Sequence, residues 1–140
     1  MTSPPPTCVL DSFALLAYFQ DEAAADEVEA LLLAAREGRT RLAISVINLG
    51  EVFYRTMRQF GIRRAEEVLG RLEEYEIDVV DVDRRLALSA ARIKGAHGLG
   101  YADCFVAALA RRLGGRVVTG DPDFRRVEGM VPVEWLPTAG

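Results

Sequence analysis

The sequence predicts an α/β protein in which helices cover both faces of a five-stranded parallel sheet. Short apolar segments alternate with longer segments of helical periodicity along the 140-residue chain. The short segments are mostly continuous apolar runs, which is typical of strands buried on both faces. Right-handed crossovers bring the carboxyl ends of parallel strands to one edge, so acids that follow the strands are expected to meet there.

The first strand is predicted at residues 7–10 and stops abruptly at Asp11. Apolar residues at helical spacing over 12–20 predict a helix immediately after it. Asp11 is therefore placed at a strand-to-helix turn, where ligands bind in open α/β sheets. The alternative is that Asp11 or Ser12 merely caps the helix, since both residue types are common N-caps.

The later segments continue this alternation. Helices are expected at 23–36, 46–60, 62–75, 83–96 and 101–110, and strands at 42–44, 77–82, 116–119 and 131–135. Ser45 is a natural N-cap for the third helix, and Gly61 separates that helix from the next. The last helix is apolar on nearly every side apart from Asp103, so a buried carboxylate in need of a partner is expected there.

Composition indicates one ordinary globular domain, since half of the residues are apolar and 27% are charged. Residues 1–6 are expected to form a flexible leader, 7–136 the domain and 137–140 a tail. The start lacks the pattern of a signal peptide, and no apolar stretch is long enough to span a bilayer. Cys8 and Cys104 are expected to be buried thiols, which suits a cytoplasmic location.

Acids and bases are segregated along the chain despite a net charge of only -4. Residues 36–64 carry seven bases and two acids, and residues 84–116 carry seven bases and one acid. All the bases except Lys94 are Arg, whose planar fork suits phosphate oxygens. The two basic blocks therefore fit a nucleic-acid surface, although solvated helix faces would have the same composition.

Four carboxylates are expected to converge at the carboxyl edge of the sheet, one from each of four separate segments: Asp11, Glu51, Asp103 and Asp121. Without compensation, such acids would raise one another's pKa and destabilise the fold. Mg²⁺ or Mn²⁺ removes this penalty, because both cations take carboxylate oxygens as ligands.

Other chemistries fit the sequence less well. No Gly-rich phosphate loop is followed by Lys, and the single histidine, His97, has no Cys or His near it to form a zinc site. Ser12 lacks the context of a nucleophile elbow. Two alternatives stay open, namely a non-catalytic RNA-binding module and a phosphatase or phospho-acceptor domain that uses Asp11 as nucleophile.

Four segments carry a family resemblance: VLDSFALL at 9–16, NLGEV at 48–52, YADCFVAALA at 101–110 and VTGDPDF at 118–124. Together they resemble the four motifs of PIN-domain ribonucleases, and within that family the chain is most similar to the VapC-type toxins of bacterial toxin-antitoxin pairs. The resemblance implies a three-layer PIN-like fold with the first strand central. It also implies endonucleolytic hydrolysis of RNA by a water activated by Mg²⁺ or Mn²⁺.

The resemblance assigns roles to individual positions. Acids expected to be catalytic and to hold the metal are Asp11, Glu51, Asp103 and Asp121, with Asp123 as an additional ligand. Neighbouring polar positions that match the family are Ser12, Asn48 and Thr119. The basic blocks separately suggest RNA contacts at Arg55, Arg58, Arg92 and Arg112.

Partners are expected as well. The resemblance implies a cognate antitoxin whose peptide lies in an apolar groove and sends a cationic side chain toward the acids. A homodimer is also expected, and no membrane association. Six side chains of the first two helices either line such a groove or belong to the core: Leu15, Leu16, Phe19, Val28, Leu31 and Leu32.

Overall fold

The computed structural model describes residues 4–139 and contains five strands, six α-helices and one 3₁₀ helix in that range. The strands are β1 (Thr7–Leu10), β2 (Arg41–Ser45), β3 (Ile77–Val80), β4 (Arg116–Thr119) and β5 (Val133–Trp135). The α-helices are α1 (Ser12–Phe19), α2 (Ala25–Arg36), α3 (Val46–Phe60), α4 (Ile62–Leu72), α5 (Arg84–His97) and α6 (Tyr101–Leu113), and the 3₁₀ helix, η1, is Pro122–Val127. Residues 1–3 of the expected leader and residue 140 of the expected tail lie outside the described range.

All five strands are parallel, in the order β3-β2-β1-β4-β5. β1 is central, because Val9 is in register with Ala43 of β2 on one side and Val117 of β4 on the other. The prediction of an α/β fold with a five-stranded parallel sheet is therefore confirmed. Because β1 is central, its carboxyl end lies between the carboxyl ends of β2 and β4.

The central strand takes part in two separate cores. Val9 packs in the core that α5, α6 and η1 form on one face of the sheet. Cys8 and Leu10 point the other way, into a core completed by α1, α2, α3 and α4. Alternate side chains of one strand thus stabilise both helical layers, and burial of this apolar area supplies much of the driving force for folding.

The local signals place most helix ends within two residues. α3 has the bounds predicted, and its N-cap is Ser45, whose Oγ accepts a hydrogen bond from the backbone N of Asn48 at 3.3 Å. α4 ends earlier than predicted, at Leu72, and α6 ends later than predicted, at Leu113. The strands β3, which ends at Val80, and β5, which begins at Val133, are each two residues shorter than predicted. η1 is an element that the sequence pattern did not predict.

β3 departs from the expectation that every strand is buried on both faces. It is the edge strand beside β2, and Val79 is 47% exposed. An edge strand has a neighbouring strand on one side only, and helices cover it less completely than a central strand. An apolar sequence therefore does not guarantee burial there.

The apolar side chains of α1 and α2 belong mainly to the core. Leu15, Leu16, Val28 and Leu32 are buried, whereas Phe19 and Leu31 are only partly buried. The prediction that all six side chains line a docking groove is therefore wrong.

Cys8 and Cys104 are buried and free, as predicted. Between residues 4 and 139 no helix combines the length and apolar character needed to cross a membrane.

Candidate metal centre

Three carboxylates converge at the carboxyl edge of the sheet. Each of Asp103, Asp121 and Asp123 offers an oxygen that lies within 4.8 Å of the other two. Asp103 stands in the first turn of α6, Asp121 follows β4, and Asp123 lies in η1. Segments far apart in sequence therefore supply one compact acidic cluster.

The position of Asp123 is fixed by the turn that precedes it. Asp121 caps η1, since its Oδ1 accepts a hydrogen bond from the backbone N of Asp123 at 2.9 Å, and Pro122 occupies the first helical position. An Asp followed by Pro is a recognisable helix start. The sequence suggested Asp123 only as an additional ligand, whereas the structure places it among the three closest acids.

Asp11 lies beneath this cluster and is 2% exposed. Its Oδ1 accepts a hydrogen bond from the backbone N of Ala14 at 2.9 Å, so it does cap α1. Its Oδ2 accepts a hydrogen bond from the hydroxyl of Thr119. Burial raises the pKa of Asp11 to about 7, with smaller contributions from the charges of Asp103 and Asp121, while the two hydrogen bonds oppose the shift. Asp11 therefore both caps a helix and adjoins the acids.

Mutual repulsion within the site is clearest at Asp103. Burial is the main reason that the pKa of Asp103 is raised to about 7, and the charges of Asp121, Glu51 and Asp123 contribute to the same shift, in that order. Arg55 acts in the opposite direction. The cluster thus has the destabilising concentration of negative charge that a bound cation would relieve.

Glu51 reaches the same region from α3. The helix is anchored against α6 by Asn48, which is buried and donates from Nδ2 to the backbone carbonyl of Ala102 at 3.0 Å. Glu51 lies one turn further along α3, and among the described residues its buried Oε1 has no hydrogen-bond partner. Buried acceptor oxygens are normally satisfied, so this atom is free to accept a hydrogen bond or to bind a cation.

The donor set fits a hard divalent cation. Every oxygen in the cluster belongs to a carboxylate, and Mg²⁺ and Mn²⁺ favour such ligands, whereas zinc favours nitrogen and sulfur. The unpartnered oxygen of Glu51 offers a further ligand atom, and a cation would also offset the mutual repulsion that adds to the burial-driven rise in the pKa values of Asp11 and Asp103. The residues present therefore fit the metal that the sequence suggested.

Ser12 is buried beside Asp11 at the start of α1. Thr119 is also buried, and besides donating to Asp11 it accepts a hydrogen bond from the backbone N of Asp121 at 2.9 Å. The hydroxyl of Thr119 therefore lies between two of the acids. The structure brings all the predicted neutral polar residues to the edge of the sheet where the acids meet.

The four arginines expected to contact RNA do not form one surface. Arg55 lies close enough to Asp103 to lower its pKa, and the Arg58 guanidinium stacks 5.6 Å from the centre of the Tyr54 ring. Arg112 instead donates to Oδ1 of Asp83 at 2.8 Å. It is nine residues beyond Asp103, or about 14 Å along the axis of α6. Arg92 lines the same groove between α5 and α6 as Arg112.

The fold and this acidic edge define an α/β protein with a candidate centre for a divalent metal. A sequence model of the PIN domain matches residues 8–130, and the chain belongs to that family. No curated protein gives a significant sequence match.

Solved structures of several bacterial proteins share the fold. DNA-bound VapBC from Salmonella typhimurium has a TM-score of 0.74 at 22% identity, over 92% of this chain and 97% of that one. VapC20 of Mycobacterium tuberculosis, described as a sarcin-ricin loop cleaving toxin, has a TM-score of 0.72 at 17% identity, over 93% and 99%. A toxin-antitoxin complex from Klebsiella pneumoniae has a TM-score of 0.68 at 17% identity, over 94% and 99%. The likeness covers nearly all of each chain.

Proposed function

We propose that this chain is an endoribonuclease dependent on Mg²⁺ or Mn²⁺ and the toxin of a bacterial toxin-antitoxin pair. The observation that carries the proposal is the convergence of Asp103, Asp121 and Asp123 within 4.8 Å, next to the unpartnered oxygen of Glu51. Membership of the PIN domain family supports nuclease chemistry. The descriptions of the structural neighbours as toxins and toxin-antitoxin complexes support the biological role.

The acids divide into direct and supporting groups. Asp103, Asp121 and Asp123 would hold the ion, and Glu51 would contribute its free oxygen. When bound, a divalent ion lowers the pKa of water and offsets negative charge on the attacked phosphate. Asp11 fixes the start of α1 and, through Thr119, the backbone at Asp121. These hydrogen bonds hold the carboxylates in place before substrate arrives, which is how preorganised sites reduce the cost of reaction.

The contacts of Asp11 weaken the alternative of a phosphatase or phospho-acceptor domain. A nucleophilic aspartate must present a free oxygen to the phosphorus atom. Both oxygens of Asp11 accept hydrogen bonds, one from Ala14 and one from Thr119, and the side chain is buried. A structural and charge-bearing role therefore suits this residue better than covalent catalysis.

RNA would approach over the exposed end of α3. Tyr54, Arg55 and Arg58 follow Glu51 by three, four and seven residues, so they lie on the same face of the helix. Arg55 carries positive charge next to the acids, and exposed Tyr54 offers a ring on which an unpaired base can stack. The Arg58 guanidinium lies against that ring, where it can also reach a phosphate.

The proposed antitoxin would cover an apolar groove different from the one that the sequence suggested. A groove of about 620 Å³ lies between the end of α1 and the α3–α4 corner, lined in part by Phe19, Phe60 and Val68. Phe60 and the adjoining Ile62 are more than half exposed. Exposed apolar side chains in a groove are typical of a surface that receives a partner peptide.

The proposed homodimer has a different candidate surface. Val46 and Ile47 are exposed apolar side chains at the start of α3, at least seven residues before Tyr54, so a second copy could pack against that end of the helix. Sedimentation of the purified protein at several concentrations measures the oligomeric state directly. A monomer at all concentrations would remove the homodimer from the proposal and leave the nuclease untouched.

Nuclease activity is tested by incubating the purified protein with a panel of structured and unstructured RNAs. We expect cleavage in Mg²⁺ or Mn²⁺ and none in excess chelator. Asp121→Asn should reduce the cleavage rate by at least about a hundredfold, since it removes one ligand charge from the cluster. RNA binding without cleavage in either cation would favour the non-catalytic RNA-binding alternative.

The toxin role is tested separately in cells. Expression of the chain alone should arrest growth, and co-expression with the protein encoded beside it should restore growth and yield a stable complex. The Asp121→Asn variant should be tolerated without that partner. Abundant active enzyme in normally growing cells would contradict the toxin role but leave the nuclease chemistry standing.

A further inference from the structure

A second charged feature lies away from the acidic cluster, in the groove between α5 and α6. Its volume is about 700 Å³. Four arginines line it, Arg85 and Arg92 from α5 and Arg111 and Arg112 from α6, above an apolar floor that includes Ile93. No carboxylate is among the residues that line the groove in the described part of the chain.

Most of this positive charge is uncompensated. Arg112 is paired with Asp83, the residue that caps α5. Within residues 4–139, the ion pairs leave Arg85, Arg92 and Arg111 without a carboxylate partner. Three unpaired guanidinium groups repel one another in one groove, and a polyanion would relieve that repulsion. A symmetric second copy would instead bring like charges together, which disfavours self-association here.

The groove runs toward the acidic cluster. Arg85 and His97 both line it, and they are twelve residues apart on α5, or about 18 Å along the helix axis. Beyond His97, the carbonyl of Gly98 accepts a hydrogen bond from Nη1 of Arg126 at 3.2 Å. Arg126 belongs to η1, the element that carries Asp123. Arg126 therefore joins the turn after α5 to the element that carries Asp123.

We propose that this groove binds the sugar-phosphate backbone of the RNA segment that flanks the cleaved bond. The preferred substrate would then be an extended or structured RNA rather than a short oligonucleotide. The inference rests on the proposed ribonuclease function. RNA is favoured over an acidic peptide because the planar guanidinium groups of the four arginines match phosphate oxygens. In addition, the His97 end of the groove adjoins the turn that leads into the first turn of α6, where Asp103 stands.

The proposal is tested by RNA binding in chelator, which prevents cleavage. The probes are a labelled 20-nucleotide hairpin and a labelled 4-nucleotide RNA. The test variant is Arg85→Ala/Arg111→Ala, and the control is Arg36→Ala/Arg63→Ala, which removes the same charge from exposed arginines on α2 and α4. Thermal unfolding of both double variants checks that the fold is retained.

We expect the groove variant to bind the hairpin about tenfold more weakly than wild type, and the control variant to change little. The slope of log affinity against log salt concentration should become shallower by about 0.7–0.9 for each phosphate that the groove no longer neutralises. Affinity for the 4-nucleotide RNA should fall much less than affinity for the hairpin. These measurements report RNA binding rather than cleavage, so the expected results can be obtained even if the protein proves unable to cleave RNA.

Equal loss of hairpin affinity in the two double variants would overturn the proposal, because net charge alone would then explain binding. Normal hairpin binding by the groove variant, combined with weakened binding of a poly-glutamate peptide, would assign the groove to an acidic protein instead. If wild type binds and the groove variant does not, but no RNA is cleaved in Mg²⁺ or Mn²⁺, the nuclease proposal fails and the RNA-binding groove stands.

Discussion

Thr119 donates its hydroxyl to Oδ2 of Asp11, a residue 108 positions earlier in the chain. The hydrogen bond joins the end of β4 to the end of β1, and both side chains are buried. The same hydroxyl oxygen accepts a hydrogen bond from the backbone N of Asp121 at 2.9 Å. One hydroxyl group thus connects an acid that caps a helix with an acid of the candidate metal centre.

Thr119→Val should lower the free energy of unfolding by about 1–3 kcal/mol, because it leaves a buried acceptor on Asp11 and a backbone donor at Asp121 unpaired. Thr119→Ser keeps the hydroxyl and should cost about 1 kcal/mol for the missing methyl group. Urea unfolding in chelator measures both. An equal decrease in the free energy of unfolding for the two variants would mean that the hydrogen bonds of the Thr119 hydroxyl do not stabilise the fold.

The metal-free protein should become less stable as pH rises from about 4 to about 7. The pKa values of Asp11 and Asp103 are raised to about 7 in the folded state, against about 3.9 in an unfolded chain. Over this range the folded state binds more protons than the unfolded state, so raising the pH favours unfolding. Thermal unfolding in chelator at a series of pH values checks the direction.

Asp103→Asn provides the control for that experiment. Asparagine cannot titrate, so this variant should show a weaker loss of stability with pH than wild type. Its remaining pH dependence should come mainly from Asp11. A wild-type melting temperature that rises steadily from pH 4 to pH 7 in chelator would contradict the pKa directions of both acids.

Mg²⁺ or Mn²⁺ should raise the melting temperature of the wild type, since a ligand that binds only the folded state stabilises it. Asp121→Asn should lose most of that increase and, in chelator, should be more stable than wild type because carboxylate repulsion falls. Asp81→Asn is the matched control, since Asp81 is exposed and its substitution removes the same charge elsewhere. An identical response of all three proteins to the cation would place the metal outside this cluster.

Gly120→Ala should destabilise the fold by about 1–3 kcal/mol, because a Cβ there would lie 2.4 Å from Cε1 of Phe13. The same substitution should cost less in a Phe13→Ala background, where the ring is absent, so a double-mutant cycle isolates the clash. Gly129→Ala is the control, because nothing lies within 4 Å of its added Cβ. Chemical unfolding of the four proteins of the cycle and of the control measures these effects.

Local chemistry explains what the sequence predicted well. Ser45 and Gly61 mark the two ends of α3, and the cap of Asp121 on η1 uses the same kind of signal, although the sequence pattern did not predict η1. The caps depend on neighbours within a few residues. The convergence of Asp11, Glu51 and Asp121 followed from parallel topology, because each stands near the carboxyl end of a strand or in the helix that follows it. Asp103 does not fit that rule, since it lies in α6, which follows α5 rather than a strand.

The errors concern contacts between distant segments. The apolar pattern of Leu15, Leu16 and Val28 is the same whether they meet a partner peptide or their own core, and only the packed structure decides it. The pairing of Arg112 with Asp83 joins residues 29 positions apart, one in α6 and the other at the N-cap of α5. Periodicity within each helix could not predict that ion pair, and an RNA contact of Arg112 stays a prediction.

The placement of β1 between β2 and β4 also fixes when the acidic cluster can assemble during protein synthesis. β1 is made first, yet one of its two neighbours is not complete until Thr119 has been made. Until then Asp11 lacks its hydroxyl partner, and Asp103 stands without Asp121 and Asp123. A chain released prematurely, before β4, would have an unpaired central strand and an incomplete cluster. A cell would therefore encounter the finished centre only after β4 and η1 had been translated and folded.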